Sequence, residues 1–228
     1  MVGRVKSGID GLDRLMEGGF LKGDVVLVAG NMGSGKTILS AQFISEGATK
    51  YGEKGVYATF EEDAKTLKRN LLQFGYDLEK LEKEGLIKVL DLETIKGAGL
   101  SANIEFILNA LRDIGAQRLV IDSLTAFLTA CEEKFEYRTL MHLFYKILKK
   151  LGCTTMMTCS VPTGLETLGL GIEEFIADSV ITLESIIHDG ELKTRFLIRK
   201  MRGTNHSKKY HEVIIGTEGL KIVSFSMT

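Results

Sequence analysis

The chain has 228 residues, of which 44% are hydrophobic and 26% are charged, as in ordinary globular proteins. These values exclude a disordered, collagen-like or coiled-coil chain, and the length suits one domain over residues 1–228. The formal net charge of −1 gives no general reason to expect nucleic acid or an anionic membrane as a partner. No apolar run is long enough for a membrane span or a signal peptide, so we expect a cytoplasmic protein.

Up to residue 176, short apolar segments alternate with longer helical ones, a pattern typical of repeated βαβ units around a parallel sheet. One helix is expected directly after the first strand, to about Lys50, and another after Glu62. Apolar side chains at helical spacing predict a helix over residues 101–114 and another around residues 140–151. The predicted core face of the second helix comprises Leu140, Leu143, Phe144, Ile147, Leu148 and Leu151. The predicted strands are apolar on both faces, as buried parallel strands are, and comprise residues 24–29, 55–60, 86–92, 118–121 and 154–159.

After residue 176 the pattern changes to β-strands separated by turn signals, Asp189-Gly190 and Glu218-Gly219. We expect an antiparallel tail with strands over residues 178–185, 192–201, 210–215 and 220–225. No linker or change of composition precedes this tail, so it should extend the same sheet. The predicted fold class is α/β: a mostly parallel twisted sheet flanked by helices, with C-terminal antiparallel strands.

Three cysteines, Cys131, Cys153 and Cys159, occur without a CxxC pair. An odd number of cysteines without such pairs argues against a disulfide framework and against a zinc ribbon. We therefore expect all three to be small buried side chains.

A glycine-rich loop follows the first predicted strand and precedes a predicted helix, and it has the pattern GxxxxGK[ST] of a phosphate-binding loop. Backbone N–H groups of such a loop surround phosphate oxygens, and the helix that follows points its positive end at the same charge. A lysine adds a point charge for the β- and γ-phosphates, and a hydroxyl can bind Mg²⁺. The alternative is a glycine-rich turn with a solvated lysine. The predicted phosphate-binding residues are Gly30, Asn31, Met32, Gly33, Ser34, Gly35, Lys36 and Thr37.

Asp122 follows the apolar strand Leu119-Val120-Ile121, which places its carboxylate at the carboxyl edge of the sheet, where ligands of such sheets bind. It fits the aspartate of a Walker-B strand, which holds a water of the Mg²⁺ shell. With Thr37 it forms the predicted metal site. The alternative is an aspartate that caps the next helix.

Glu61 and Glu62 follow the strand over residues 55–60 at the same predicted edge. A carboxylate there can orient a water in line with the γ-phosphate, which is the positioning that phosphoryl transfer needs. We assign Glu61 as the base and a candidate metal ligand, and Glu62 as a second catalytic-site residue that supports the metal shell or the local structure. The alternative is that both acids simply favour the first turn of a helix.

The tail holds the most basic part of the chain. Between residues 193 and 209 there are seven Lys or Arg and no acid: Lys193, Arg195, Arg199, Lys200, Arg202, Lys208 and Lys209. Such a segment can meet an anionic group. It can equally be a solvated strand edge whose charges discourage aggregation.

Several further motifs carry a resemblance to a known family. Residues 7–13 (SGIDGLD) and 18–24 (GGFLKGD) precede the phosphate loop, Phe60-Glu61-Glu62 follows it, and residues 200–206 read KMRGTNH. Together they resemble the KaiC-like branch of the RecA-superfamily ATPases, whose KxRGTxH segment reaches the ATP of a neighbouring subunit. The phosphate loop alone indicates only a P-loop NTPase, whereas this combination is specific and spans essentially the whole chain.

The resemblance implies an Mg²⁺-dependent ATP hydrolase that forms rings, commonly hexamers, with ATP or ADP bound between subunits. It implies that the loop residues and Ile38 bind phosphates within one subunit. Lys200 and Arg202 would contact the γ-phosphate of the neighbour, with Met201, Thr204 and His206 near the nucleotide. The protein partner of such an assembly is unknown.

The sequence departs from related proteins in informative ways. It has one domain where KaiC has two, and no adjacent Ser-Thr pair occurs between Pro162 and Ile176, so clock function and autokinase activity are not expected. An alternative is a DNA-dependent ATPase of recombination or repair, but residues 161–174 carry three acids and no base, which would repel nucleic-acid phosphates. A second alternative is an ATP-dependent regulatory switch without catalysis.

Overall fold

The computed structural model describes residues 3–92, 99–129, 134–161, 177–188 and 190–224. Its strands are β1 Arg4–Val5, β2 Phe20–Leu21, β3 Val25–Gly30, β4 Gly55–Thr59, β5 Ile87–Asp91, β6 Arg118–Asp122, β7 Thr154–Ser160, β8 Ser179–His188, β9 Glu191–Met201, β10 His211–Gly216 and β11 Gly219–Ser224. Its helices are α1 Lys36–Tyr51, α2 Ala64–Leu72, α3 Leu78–Lys83, α4 Gly99–Ile114, α5 Leu124–Thr129 and α6 Lys134–Leu151, with a short 3₁₀ turn at Asp13–Leu15.

The described strands form a nine-stranded sheet with the order β11-β10-β9-β8-β3-β7-β6-β4-β5, beside a two-stranded sheet of β1 and β2. The strands from β8 to β5 in this order run parallel, and β3 lies between β7 and β8. Since helices connect most of the parallel strands, this is the α/β fold that the sequence predicts, and that prediction is confirmed.

The tail extends the same sheet, as predicted, but the change of direction comes one strand later than expected. β8 runs parallel to β3, with Val26 beside Ser179 and Gly30 beside Leu183. β9 is antiparallel to β8, and β10 and β11 continue in antiparallel order. The predicted turn residue Asp189 lies outside the described residues, as do Cys131, Phe225 and the interior of the acidic loop that follows Val161.

Two layers of apolar side chains cover the two faces of the sheet. One face packs against α1, α2, α3 and the N-terminal segment, and the other packs against α4, α5 and α6. Neighbouring residues of one strand alternate between the layers, as Val26 and Leu27 do. Cys153 and Cys159 are buried, as predicted. No described helix combines the length and the apolar content that a membrane crossing requires.

The α6 prediction needs one correction. Met141, Phe144 and Leu148 are buried, whereas the predicted core residues Leu143 and Leu151 are about half exposed. The sequence contains apolar residues on more than one side of this helix, so spacing alone does not identify the buried stripe. The sequence pattern also does not predict the short elements β1, β2, α3 and α5.

The direction of the strands defines two edges that matter below. The P-loop edge is the edge at the carboxyl ends of β3, β4, β6 and β7. The opposite edge is the one at which these strands begin. Because β9 runs antiparallel to β8, Met201 pairs with Ser179, and the end of β9 therefore lies at the opposite edge.

Candidate nucleotide site

The phosphate loop joins β3, which ends at Gly30, to α1, which begins at Lys36. Gly35 precedes α1 with φ 91°, a left-handed conformation that L side chains rarely adopt. A Cβ atom at Gly35 would also lie 2.6 Å from Ile215 Cδ1. Glycine thus allows the chain to turn and pack closely here. The first N–H groups of α1, which have no partner within the helix, then lie beside the loop.

Lys36 is almost fully buried, and its side chain bonds to its own loop. Its Nζ donates to the carbonyl oxygens of Gly30 at 2.9 Å and Asn31 at 2.8 Å. Burial lowers the pKa of Lys36, and the nearby carboxylates of Asp122 and Glu61 oppose that effect. The lysine is thus held at the loop next to two acidic groups.

The other predicted loop residues have different environments. Asn31 links the loop to the sheet, because its Nδ2 donates to Val161 O at 3.2 Å and its Oδ1 accepts from Ser185 N at 3.2 Å. Ser34 is buried, and its Oγ has no hydrogen-bond partner in the described part of the chain. Met32 is 88% exposed. The buried hydroxyl without a partner and the buried lysine fit a loop that binds an oxygen-rich anion.

Asp122 lies at the end of β6 and is buried. Tyr57 Oη donates to its Oδ2 at 2.7 Å, and the hydroxyl of Thr158 donates to its Oδ1. Tyr57 also contacts Ser40 Oγ of α1 at 3.3 Å. Burial and the Asp122 charge raise the pKa of Tyr57, so it remains a donor. The carboxylate is therefore held in one orientation from β4 and β7.

Glu61 and Glu62 both follow β4 at the P-loop edge but have different partners. Glu61 is exposed, and its Oε1 accepts a hydrogen bond from Ser123 Oγ. Glu62 is half-buried, and its Oε1 accepts from Asn70 Nδ2 at 2.8 Å. Burial and the charges of Asp63 and Asp122 raise the pKa of Glu62. Glu61 is the one whose charge acts on Lys36.

The residues present also fit a bound Mg²⁺. Thr37 is half-buried in the first turn of α1, and its carbonyl oxygen accepts from Ser40 Oγ at 3.0 Å. In the described residues no group of three or more His, Cys, Asp or Glu could hold a metal ion. Mg²⁺ uses one or two protein oxygens and substrate phosphates, so a threonine hydroxyl and one carboxylate suit this ion. Ile38, the next residue, packs on the core.

The basic residues predicted to reach a neighbouring subunit's nucleotide lie at the opposite edge. Lys200 pairs with Val180 in the sheet, and its Nζ donates to Ala177 O at 2.7 Å. Arg202 has a side chain that is 53% exposed, and its Nη1 lies 3.7 Å from Asp178 Oδ1. Met201, between them, is buried in the core layer that faces α1. Two cations therefore border one buried residue at the end of β9.

Thr204 of the KMRGTNH segment and Ser207, which directly follows the segment, contact the N-terminal part of the chain. Arg4 Nη1 donates to Thr204 Oγ1 at 3.2 Å, and Ser207 N donates to Leu15 O at 2.8 Å. His206 Nδ1 lies 3.2 Å from Thr204 O. The glycine-rich opening of the sequence thus supports the basic segment across 200 positions of the chain.

Sequence reasoning does not identify three residues that shape the site: Tyr57, Ser123 and Thr158. A signal for two of them exists, because Tyr57 and Thr158 place hydroxyl groups within strands that are buried over nearly their whole length. Ser123 directly follows the predicted aspartate. Their roles depend on which strands are neighbours, and the order of the sheet supplies that information.

Comparisons with known proteins agree with this fold. The family model described as "ATPase: KaiC" matches residues 5–226. A KaiC-like protein from Pyrococcus horikoshii has a crystal structure that superposes with a TM-score of 0.88 at 43% identity, covering 97% of this chain and 99% of that one. A UPF0273 protein from Methanocaldococcus jannaschii is 34% identical over 95% of each chain.

A circadian clock oscillator protein KaiC from Synechococcus elongatus is 35% identical over 97% of this chain, which spans 44% of that protein. The match thus corresponds to somewhat less than half of the clock protein. The family model, by contrast, extends over nearly all of the present chain. The chain belongs to the KaiC-like ATPases of the RecA superfamily.

Proposed function

We propose that this protein binds and hydrolyses ATP with Mg²⁺ as a homo-oligomer in which each nucleotide lies between two subunits. One observation carries the proposal. The P-loop edge brings Lys36, Asp122 and Glu61 together, whereas Lys200 and Arg202 of the same chain lie at the opposite edge. These cations can complete a nucleotide site only in another copy.

The separation of the two groups follows from the register of the sheet. Ser179 lies beside Val26 and opposite Met201, while Leu183 lies beside Gly30. Four residues of parallel strand span about 13 Å, and the phosphate loop begins only beyond them. Lys200, which bonds to Ala177, is therefore separated from the phosphate loop of its own chain by the length of β3.

Within one subunit, the loop residues from Gly30 to Ile38 would hold the phosphates through backbone N–H groups, with Lys36 as the charge on the β- and γ-phosphates. Thr37 and Asp122 would hold Mg²⁺, with Glu61 as a third candidate ligand. When bound, Mg²⁺ neutralises phosphate charge and orients the phosphate oxygens. Tyr57 and Thr158 keep the Asp122 carboxylate in place for this role.

Glu61 is the proposed base. It is exposed, it is oriented by Ser123, and its charge acts on Lys36, so its carboxylate can hold a water close to the phosphate site. Glu62 supports the loop through Asn70.

The neighbouring subunit would supply the remaining groups. Its Lys200 and Arg202 would neutralise charge that develops on the γ-phosphate, with Met201, Thr204 and His206 near the nucleotide. The resemblance to ring-forming ATPases supports a hexameric ring of chains, each with one domain over residues 1–228. A head-to-tail contact between the P-loop edge of one copy and the opposite edge of the next would close such a ring. The expected compartment is the cytoplasm, which supplies ATP and Mg²⁺.

The exchange Glu61→Gln tests hydrolysis. It keeps the size of the side chain and removes its charge, so ATP binding should persist while turnover falls by about two to three orders of magnitude. Calorimetry measures the binding, and phosphate release measures the turnover. Glu79→Gln is a matched control, since Glu79 is exposed on α3 and pairs with Lys83. Loss of ATP binding in the Glu61 variant, or unchanged turnover, would contradict the assignment.

Assembly is tested separately by light scattering with and without ATP. We expect a ring-sized particle in the presence of ATP and Mg²⁺. The turnover per protein copy should rise with protein concentration as copies assemble. A monomer that hydrolyses at full rate would contradict the role of the neighbouring subunit. Strong stimulation by single-stranded DNA would instead favour the DNA-dependent alternative, and absence of any turnover would favour a regulatory switch.

A further inference from the structure

A group of polar side chains at the opposite edge has no part in the nucleotide site of its own chain. Its centre is Asp178, a buried carboxylate directly before β8. Its Oδ2 accepts hydrogen bonds from Val25 N at 2.9 Å and Lys149 Nζ at 3.0 Å. Its Oδ1 accepts from Tyr145 Oη at 3.0 Å. A buried carboxylate with three donors is held in one fixed orientation.

Helix α6 supplies two of these donors, and they have further support. Lys149 Nζ also contacts Asp24 Oδ1 at 3.1 Å. Burial lowers the pKa of Lys149, but the hydrogen bonds to Asp178 and Asp24 outweigh that effect and raise the pKa overall. The lysine therefore stays charged and binds the carboxylates that precede β3 and β8.

Residues 177 and 178 contact both Lys200 and Arg202, the two cations proposed to act on the nucleotide of the neighbouring subunit. Arg202 N donates to Asp178 O at 3.0 Å, and Arg202 Nη1 lies 3.7 Å from Asp178 Oδ1. Lys200 Nζ donates to Ala177 O, the neighbouring carbonyl, at 2.7 Å. The backbone of Arg202 and the side chains of Arg202 and Lys200 thus all contact residues 177 and 178.

We propose that Asp178, held by Tyr145 and Lys149, is a positioning residue that directs Arg202 toward the nucleotide of the neighbouring subunit. This inference rests on the proposed function, because it assumes that Arg202 acts in trans. Asp178 does not contact the nucleotide; it acts through the arginine.

The contacts favour positioning over competition for the arginine. Both Asp178 oxygens already accept hydrogen bonds from other donors, and the Arg202 guanidinium lies beyond hydrogen-bond distance of Oδ1 at 3.7 Å. Arg202 is also about half exposed, so a phosphate of another copy can reach its guanidinium from outside. The aspartate thus restrains the arginine electrostatically without enclosing it.

The exchange Asp178→Asn keeps the shape of the side chain and removes its charge. We expect kcat for ATP hydrolysis to fall about tenfold while KM stays within about twofold, because the phosphate loop lies at the other edge. Tyr145→Phe removes one hydrogen bond to Asp178 and should lower kcat about threefold in the same way, even if Asp178→Asn folds poorly. A loss confined to KM, or no loss of kcat in either variant, would overturn the proposal.

Glu184→Gln is the matched control. Glu184 lies on β8 and pairs with Arg195 on β9 at 2.7 Å, so it forms a closer carboxylate–arginine contact away from the KMRGTNH segment. The kcat of Glu184→Gln should stay within about twofold of the wild-type value. An equal loss of kcat in this variant would mean that weakening the β8–β9 pair is itself the cause, which would overturn the role of Asp178.

Mixed oligomers distinguish action in trans from action within one subunit. Copies with Lys36→Ala keep Asp178 and both trans cations, and copies with Asp178→Asn keep the phosphate loop. In an equal mixture with head-to-tail contacts, about one interface in four is complete, so turnover should rise about fivefold above the mean of the separate samples. Circular dichroism checks that both variants are folded.

A parallel mixture separates the two proposals. Lys36→Ala mixed with Arg202→Ala should recover turnover if the nucleotide site is shared between subunits. Recovery with Arg202→Ala but not with Asp178→Asn would overturn the role of Asp178 and leave the proposed function intact. Recovery with neither variant would overturn the shared site and, with it, the present inference.

Discussion

The two edges of the central sheet hold charged groups in opposite ways. At the P-loop edge, Lys36 is buried beside the carboxylates of Asp122 and Glu61. At the opposite edge, the half-exposed Arg202 lies beside the buried carboxylate of Asp178, and the half-buried Lys200 donates to the carbonyl oxygen of Ala177. The first arrangement surrounds a buried lysine with acidic groups and suits an anion with a metal ion, while the second exposes the guanidinium of Arg202 to the solvent. One copy thus holds the two halves of the proposed site at opposite edges of its sheet. Only a head-to-tail contact between copies can join them.

The strongest test of this comparison is Arg202→Ala at the opposite edge. A cation supplied in trans contributes roughly 10³-fold to phosphoryl transfer, so kcat should fall by about that factor. ATP binding to isolated copies should be unchanged, because the arginine lies at the edge opposite its own phosphate loop. Phosphate release and calorimetry measure the two quantities.

Arg199→Ala is the control for this prediction. Arg199 lies on the same strand, and its contact with Glu184 is a loose, partly exposed ion pair at 3.7 Å. Such a pair contributes little, and we expect nearly wild-type turnover. A similar loss of kcat in both variants would indicate a general effect of charge at this strand and would break the comparison between the edges.

Lys36→Ala tests the P-loop edge. Removal of this preorganised charge should lower turnover by about 10²- to 10³-fold, and it should weaken ATP binding as well, in contrast to Arg202→Ala. Lys50→Ala is the control, since Lys50 lies at the other end of α1 and pairs with Glu46. Normal ATP affinity in the Lys36 variant would exclude the assigned phosphate contact.

Asp122→Asn should have a smaller effect, expressed mainly in the dependence on Mg²⁺. A group that holds the metal through a water is worth about 10- to 100-fold in metal affinity or activity. The Mg²⁺ concentration for half-maximal turnover should rise accordingly. Asp113→Asn, an exposed change on α4, should leave it unaltered. An unchanged Mg²⁺ requirement in the Asp122 variant would remove it from the metal site.

Much of this organisation could be predicted from the sequence because it is local. The strand boundaries agree with the structure to within about two residues apart from the longer β8–β9 hairpin, since buried parallel strands form short apolar segments. The phosphate loop is a contiguous pattern, and Asp122 and Glu61 each lie at or just beyond the end of a strand. The carboxyl ends of parallel strands share an edge, which brings such residues together without further information.

The remaining features depend on strand order and register, which the sequence does not encode locally. Tyr57 meets Asp122 because β4 and β6 are neighbours in the sheet. Asp178 meets Lys149 across 29 positions because α6 packs beside the start of β8. The separation of Arg202 from its own phosphate loop is likewise a consequence of the antiparallel β8–β9 pair.

Tyr57→Phe measures how much the buried network at the P-loop edge contributes to stability. It removes a hydrogen bond to a charged acceptor, so the free energy of unfolding should fall by about 1.5 to 3 kcal/mol. Tyr76→Phe is an unusually close control, because the buried Tyr76 hydroxyl has no hydrogen-bond partner within the described residues. That change should be neutral or slightly stabilising. Equal losses of unfolding free energy in the two variants, measured by urea denaturation, would show that the hydrogen bond to Asp122 contributes no extra stability.

The smallest effect concerns two adjacent acids at the P-loop edge, whose pKa values shift in opposite directions. Burial and nearby negative charge raise the pKa of Glu62, whereas hydrogen bonding to Thr66 lowers the pKa of Asp63. The Glu62 contribution to stability is present below its unfolded-state pKa and is lost as pH rises through its folded-state pKa. The Asp63 contribution is present above its unfolded-state pKa and is lost as pH falls through its folded-state pKa.

Glu62→Gln should therefore gain stability relative to the wild type as pH rises from about 4 to about 7, and Asp63→Asn should lose stability as pH rises from about 2 to about 5. Urea denaturation at several pH values measures both differences. Glu61 is not a main cause of either pKa shift. We therefore expect the Glu62 exchange to act mainly on stability and the Glu61 exchange to act mainly on turnover. A Glu62 variant whose relative stability falls with rising pH would show that its charge is needed by the fold.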